Sequence, residues 1–351
     1  MFQLSDSMGQ IMEDEFLKRY IKLLIPEEFI EMVQGEDRKL PLEELKTKLY
    51  MPWGAPYISE MILQSANYLL EIKEGIYEFI PLWSEKTEGT FMPEADNSKN
   101  SVFLLKRKTD TQEQKPAVLI CPGGGYTDVA LASEGFPTFE KMEAMGYIPF
   151  ILNYRTAPNR YPEQQKDMAL AFKYLRANAQ ALGIDPENIL LIGYSAGGHL
   201  SASETLYGEE YEKLLMEDLK MECPSLAERY EGISVKTDQL CLCYPVISFK
   251  SEYHAGSFSA LTGGEEGLRD KLSVDLHLTQ DFPKTFLWTC LDDSTVPPSN
   301  TIRMSKAMEE KNLDYKLKLY PTGEHGCCLG TGTSAEGWIN EMAEFMKEEE
   351  S

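Results

Sequence analysis

Basic residues are scarce in this sequence. Its 34 Lys and Arg stand against 57 Asp and Glu, a formal charge of −23 at pH 7, which repels phosphate backbones and anionic lipid surfaces and argues against nucleic acid and membrane partners. Long apolar runs are missing too: no stretch approaches the ~20 uninterrupted apolar residues that a membrane-spanning helix needs. Residues 1–20 are acidic and lack the apolar core of a signal peptide, so the cytoplasm is the expected compartment. Cysteine is limited to seven, an odd number, and Cys121, Cys241, Cys243 and Cys290 lie inside apolar runs. They read as buried reduced thiols rather than a disulfide framework. Cys327 and Cys328 stand beside His325, but no second spaced pair completes a ligand set, and no metal is expected. Histidine occurs only four times, so the search for a catalytic base is short.

What is present suffices for a sizeable core. A chain of 351 residues, 42% of them hydrophobic, can build one large α/β domain or two smaller ones. The text changes character near residue 75. Before it, Phe16, Tyr20, Leu23 and Leu24, and again Met61, Ala66, Leu69 and Leu70, recur at helical steps, with breaks at Pro26, Pro41 and the turn Pro52-Trp53-Gly54-Ala55-Pro56. Residues 1–75 therefore read as a helical extension without strands. Three roles are open to it: packing on the main domain, covering the site, or a contact in a homo-oligomer.

From Ile76 strands alternate with helices, the pattern of a mostly parallel sheet covered by helices on both faces. Strands are expected at 101–105, 117–121, 147–153, 189–192, 240–244, 285–290 and 315–320. Helices are expected at 138–145, 164–182, 197–207, 299–311 and 334–346. The stretches 208–236 and 249–283 exceed ordinary connection lengths and read as insertions near the carboxyl ends of the strands, where they would shape a pocket.

The strongest chemical signal is Gly193-Tyr194-Ser195-Ala196-Gly197, preceded by the apolar run Ile189-Leu190-Leu191-Ile192 and followed by a helical pattern. A strand, a strained turn and a helix push a serine hydroxyl out at the top of a sheet. The amide of Ala196, at the helix N-terminus, would face an oxyanion. Serine needs a base. His199 lies one turn along the helix from Ser195 and reads as a packing or hydrogen-bonding residue. His254 and His277 fall inside the second insertion, and either could line a pocket, although His277 between two leucines reads as a satisfied half-buried side chain. His325, in Pro321-Thr322-Gly323-Glu324-His325-Gly326 after the last strand, is the expected base. Its acid partner comes from Leu291-Asp292-Asp293-Ser294-Thr295-Val296-Pro297; the following Val296-Pro297 favours Asp293, and Asp292 stays open. The chain order Ser195, Asp293, His325 is that of the α/β-hydrolases.

Cys121-Pro122-Gly123-Gly124-Gly125-Tyr126 follows another expected strand. Three glycines let backbone amides face an anion; no Gly-Lys-Ser/Thr and no Gly-x-Gly-x-x-Gly spacing supports a phosphate loop. Gly124 and Gly125 are the expected oxyanion donors together with Ala196. Tyr126 and Tyr194, which adjoin the glycine loop and the nucleophile, are the expected substrate-binding side chains.

Together with Ile80-Pro81-Leu82-Trp83, Leu152-Asn153-Tyr154-Arg155 and Tyr161-Pro162 followed by Asp167, these motifs resemble the α/β-hydrolase superfamily. Within it they are similar to the esterase/lipase group related to hormone-sensitive lipase and to bacterial acetyl esterases of the acetylxylan-esterase type. The resemblance spans residues 76 to 345 and implies a Ser-Asp-His triad, no metal, no organic cofactor, and scaffold roles for Arg155 and Asp167. Pro122 stands where the lipase-type loop has histidine, which fits the acetyl-esterase branch. A serine carboxylesterase acting on short acyl esters, with a small molecule or an oligosaccharide as the alcohol, is the implied function. The same triad also serves arylformamidases and serine peptidases, so an amide-type substrate stays open, and a non-catalytic binding module is a third reading.

Overall fold

Uncharged apolar runs form the middle of one eight-stranded sheet, built from β1 (Tyr77–Pro81), β2 (Phe103–Arg107), β3 (Lys115–Cys121), β4 (Ile148–Asn153), β5 (Ile184–Tyr194), β6 (Gln239–Cys243), β7 (Thr285–Cys290) and β8 (Tyr315–Tyr320). The computed structural model describes residues 1–25, 27–45, 58–84, 93, 96–108 and 114–348. Strand order is β1-β2-β4-β3-β5-β6-β7-β8. β1, β2 and β4 pair antiparallel in that order, and every other pairing is parallel. Every side chain of β7 is buried, so both faces of the sheet are covered there, as a parallel sheet requires.

Residues before 76 form helices α1 (Met8–Ile11), α2 (Glu15–Tyr20), α3 (Glu27–Met32), α4 (Leu42–Leu45) and α5 (Ile58–Lys73). Among the described residues there is no strand before Tyr77. Pro26 and the 52–56 turn lie outside the described residues. The extension packs on the main domain: the ring of Tyr68 in α5 stacks on Phe136, with 3.8 Å between centroids. Helices α6 (Phe136–Ala144), α7 (Glu163–Ala177), α8 (Ala179–Leu182), α9 (Ser195–Glu222), α10 (Pro224–Tyr230), α11 (Ala255–Thr262), α12 (Ser299–Glu310) and α13 (Trp338–Lys347) complete the fold.

Several boundaries differ from the sequence reading. β1 was not among the expected strands; its Pro81 ends an edge strand, where a missing amide costs no ladder bond. The helix expected over 197–207 does not end there: α9 only kinks at Tyr207 (φ −120°, ψ 19°) and continues to Glu222. The 208–236 stretch is thus largely helical, and it lies along α7 through Glu212 on Lys173 and Asp218 on Lys166. The last helix starts at Trp338 rather than 334, because Gly337 before it is left-handed (φ 92°).

The sheet turns back on itself at β3. From β3 the chain runs outward to β4, then crosses back to β5 on the other side, with Cys121 level with Gly193. A crevice opens outside the carboxyl ends of strands at such a reversal, and the loops after β3 and β5 meet there.

Candidate active site

Ser195, the first residue of α9, is left-handed (φ 51°) and directly follows β5. That turn closes only because its neighbours are small: a Cβ on Gly197 would lie 2.3 Å from the carbonyl oxygens of both Cys121 and Pro122. The same packing brings the glycine loop after β3 against the serine.

His325 follows β8 in a loop. Its Nε2 is 2.8 Å from Ser195 Oγ and its Nδ1 is 2.8 Å from Asp293 Oδ2. The carboxylate of Asp293 is fully buried, and its other oxygen accepts the amides of Thr295 and Val296 at 3.0 and 2.9 Å. Asp293 therefore cannot swing away from the imidazole. The neighbouring Asp292 points elsewhere. It is exposed and accepts the amides of Gly323 at 3.1 Å and Glu324 at 2.9 Å, holding the loop that carries His325. Of the two candidate acids, the structure places Asp293 beside the histidine and gives Asp292 to the loop.

The glycine loop supplies the donors. The Gly123 amide is already engaged, donating to Glu134 Oε2 at 2.6 Å, whereas the amides of Gly124 and Gly125 have no partner among the described residues. Gly124 (φ 117°) has no room for a side chain, since a Cβ there would fall 2.2 Å from Asp128 O. Ala196 is the second residue of α9, where the backbone N–H has no intrahelical acceptor. Three amides are thus free around the serine turn, and the dipole of α9 reinforces one of them.

The sequence profile of the BD-FAE family matches residues 104–308. The chain belongs to the BD-FAE family. An acetyl ester-xyloside bifunctional hydrolase from Caldicellulosiruptor lactoaceticus, an α/β-hydrolase, superposes with a TM-score of 0.61 at 30% identity, covering 76% of this chain and 96% of that one. The sequence is also 26% identical over 231 residues to endo-1,4-beta-xylanase B of Butyrivibrio fibrisolvens, covering 64% of this chain and 34% of that protein. It is 27% identical over 223 residues to an acetylxylan esterase of Xylanibacter ruminicola, covering 61% and 42%. The chain spans less than half the length of either curated relative.

Two expected residues of this BD-FAE chain are not brought to the crevice. Tyr126 and Tyr194 are fully buried. The Tyr126 hydroxyl meets His199 Nδ1 at 2.7 Å, and that of Tyr194 meets Thr138 Oγ1 at 2.6 Å. Their side chains turn into the core and do not line a substrate pocket. His199 is buried as well; its Nε2–H donates to Leu272 O at 2.8 Å, and desolvation lowers its pKa to about 4. It is the hydrogen-bonding residue the sequence suggests. His277 lies near Asp270, with its Nε2 2.9 Å from the Asp270 carbonyl oxygen. His254 is different. It caps α11, and a Cβ on Gly125 would lie 3.8 Å from its Cε1.

Two residues at the site have no counterpart in the sequence reading. Glu134, in a short π-helical turn (Leu131–Gly135), is buried, and burial pushes its carboxyl above the usual range. It accepts both the Gly123 amide and the hydroxyl of Tyr244, the latter at 2.8 Å. Tyr244, directly after β6, packs its ring against His325 with 4.9 Å between centroids, and its hydroxyl accepts the Cys328 amide at 3.2 Å. Arg155 and Asp167 pair in the core, where Asp167 also accepts from Trp83 Nε1 at 2.8 Å, a scaffold arrangement. All seven cysteines are free thiols, and among the described residues no group of three or more His, Cys, Asp or Glu side chains is placed to hold a metal ion. No helix among them is long and apolar enough to cross a membrane.

Proposed function

We propose that the chain hydrolyses short-chain acyl esters, acetyl esters foremost, through Ser195, His325 and Asp293. The observation that carries this reading is the pair of 2.8 Å contacts linking Asp293 Oδ2, the two ring nitrogens of His325 and Ser195 Oγ. Asp293 accepts from Nδ1–H, which leaves the Nε2 lone pair aimed at the serine hydroxyl. Ser195 Oγ attacks the ester carbonyl while Nε2 takes its proton, and Asp293 stabilises the imidazolium that forms. The developing oxyanion lies against the free amides of Gly124, Gly125 and Ala196, fixed dipoles that need no reorganisation during the reaction. The alcohol leaves with the proton from Nε2. A water activated by the same nitrogen then releases the acid and restores the serine.

The acetylxylan esterase and the acetyl ester-xyloside hydrolase among its relatives support acetyl as the acyl group and a carbohydrate hydroxyl as the alcohol. A rate panel tests this: p-nitrophenyl acetate, butyrate and octanoate, acetylated xylo-oligosaccharides, and N-formyl aryl amides, with Ser195→Ala as the blank. Serine-dependent acetate release from the sugars, and nitrophenyl rates that fall with chain length, are expected. Turnover confined to the formamides, or fastest on octanoate, overturns the reading.

A further inference from the structure

We infer that His254 is a substrate-binding residue, whose Nε2–H donates to an oxygen on the alcohol portion of the ester and so favours alcohols rich in hydroxyl or ether oxygens, such as sugars, over plain aryl or alkyl ones. This rests on the ester-hydrolase reading above and adds to it the residue that recognises the alcohol.

The tautomer follows from the helix cap. His254 precedes α11, and its Nδ1 accepts the Ser257 amide at 3.2 Å and lies 2.8 Å from Ser257 Oγ. A ring nitrogen that accepts an amide carries no proton, so the hydrogen of the neutral ring is on Nε2. Among the described residues Nε2 has no partner. The ring is half-buried, and burial, followed by the nearby His325, lowers its pKa, which keeps it neutral and its cap intact. With Nδ1 occupied and Nε2 protonated, His254 has no free lone pair and is a donor only. It is not a second base.

Its position selects the alcohol side. The ring lies against Gly125 and within electrostatic reach of His325 and Asp293. In the reaction above, the carbonyl oxygen points at the glycine amides and the leaving oxygen points at His325 Nε2. A group beside Gly125 and within electrostatic reach of His325 is placed to meet the leaving alcohol. An aryl or alkyl group offers that N–H nothing to bond, and leaving such a donor unpaired is costly.

The test compares kcat/KM for an acetylated xylo-oligosaccharide and for p-nitrophenyl acetate in wild type, His254→Asn and His254→Gln. Asparagine is a good helix N-cap but is too short to place a donor where Nε2 stands, whereas glutamine extends an amide N–H further. The sugar-to-aryl ratio should fall about tenfold or more in His254→Asn, carried mainly by a higher KM for the sugar, and recover in part in His254→Gln. Equal losses on both substrates or an unchanged ratio overturns the inference. A wild type inactive on every ester instead fails the parent reading, so the two failures are distinct.

Discussion

The hydroxyl of Tyr244 donates to Glu134 at 2.8 Å, while the ring of the same tyrosine stands edge-on to His325. One buried carboxylate therefore ties the base to the loop bearing the oxyanion donors, because its other oxygen accepts the Gly123 amide. Neither residue is placed to touch the reacting atoms. Both act by position, and misplacement of catalytic groups by about 1 Å can cost on the order of 10²-fold in rate.

Glu134→Gln puts an N–H where one of two donors now finds an acceptor. We expect kcat to fall about 10–100-fold with KM changed far less. Tyr244→Phe, which keeps the ring beside His325 and removes only the hydroxyl, should show a smaller loss of the same kind. Steady-state kinetics on p-nitrophenyl acetate check both, with near-UV circular dichroism to establish native packing. A loss confined to KM would contradict the positioning role.

The adjacent aspartates make a sharper contrast. Asp293→Asn disrupts the acceptor that fixes the His325 tautomer and should lower kcat by about 10⁴-fold. Asp292→Asn keeps one oxygen for the amides of Gly323 and Glu324 and should cost no more than about tenfold, the worth of roughly one hydrogen bond. Single-turnover rates for the two variants decide it, and the reverse ranking would move the acid by one position.

Ser195, Asp293 and His325 were legible because each follows a strand, apolar before the first two and alternating before His325, and is flanked by turn residues, so local pattern alone carries them to the same end of the sheet. Glu134 and Tyr244 carry no such mark. Glu134 lies in an irregular turn with no period to read, and its partners are 11 and 110 residues away in sequence. Tyr126 and Tyr194 were misread because closeness along the chain says nothing about direction. Tyr126 occupies a left-handed turn (φ 63°) that sends its ring inward, and Tyr194 ends the fully buried part of its strand, Ile189 to Tyr194. The length of α9 was hidden because 208–236 reads by its length as an insertion, whereas its first part continues the helix and packs on α7.

His199 gives a pH dependence with a definite sign. Its folded pKa is about 4, against roughly 6.5 in an unfolded chain. Between those values the unfolded chain takes up a proton that the buried ring refuses, so this contribution is present above about pH 6.5 and is lost as pH falls toward 4. Urea unfolding at pH 7.5 and 4.5 should show wild type losing about 2–3 kcal/mol more over that interval than His199→Gln. Equal losses would mean that His199 protonates without opening the fold.

The reaction requires that Ser195 become acylated. A brief exposure to p-nitrophenyl acetate, followed by acid quench and peptide mass mapping, tests it most directly, with His325→Ala and Ser195→Ala run alongside. A stoichiometric burst of nitrophenol and a single acetyl group on the peptide containing Ser195 are expected, with neither in the Ser195→Ala protein. Turnover that persists in Ser195→Ala, or an acetyl group on another residue that forms and decays at the rate of turnover, would contradict it.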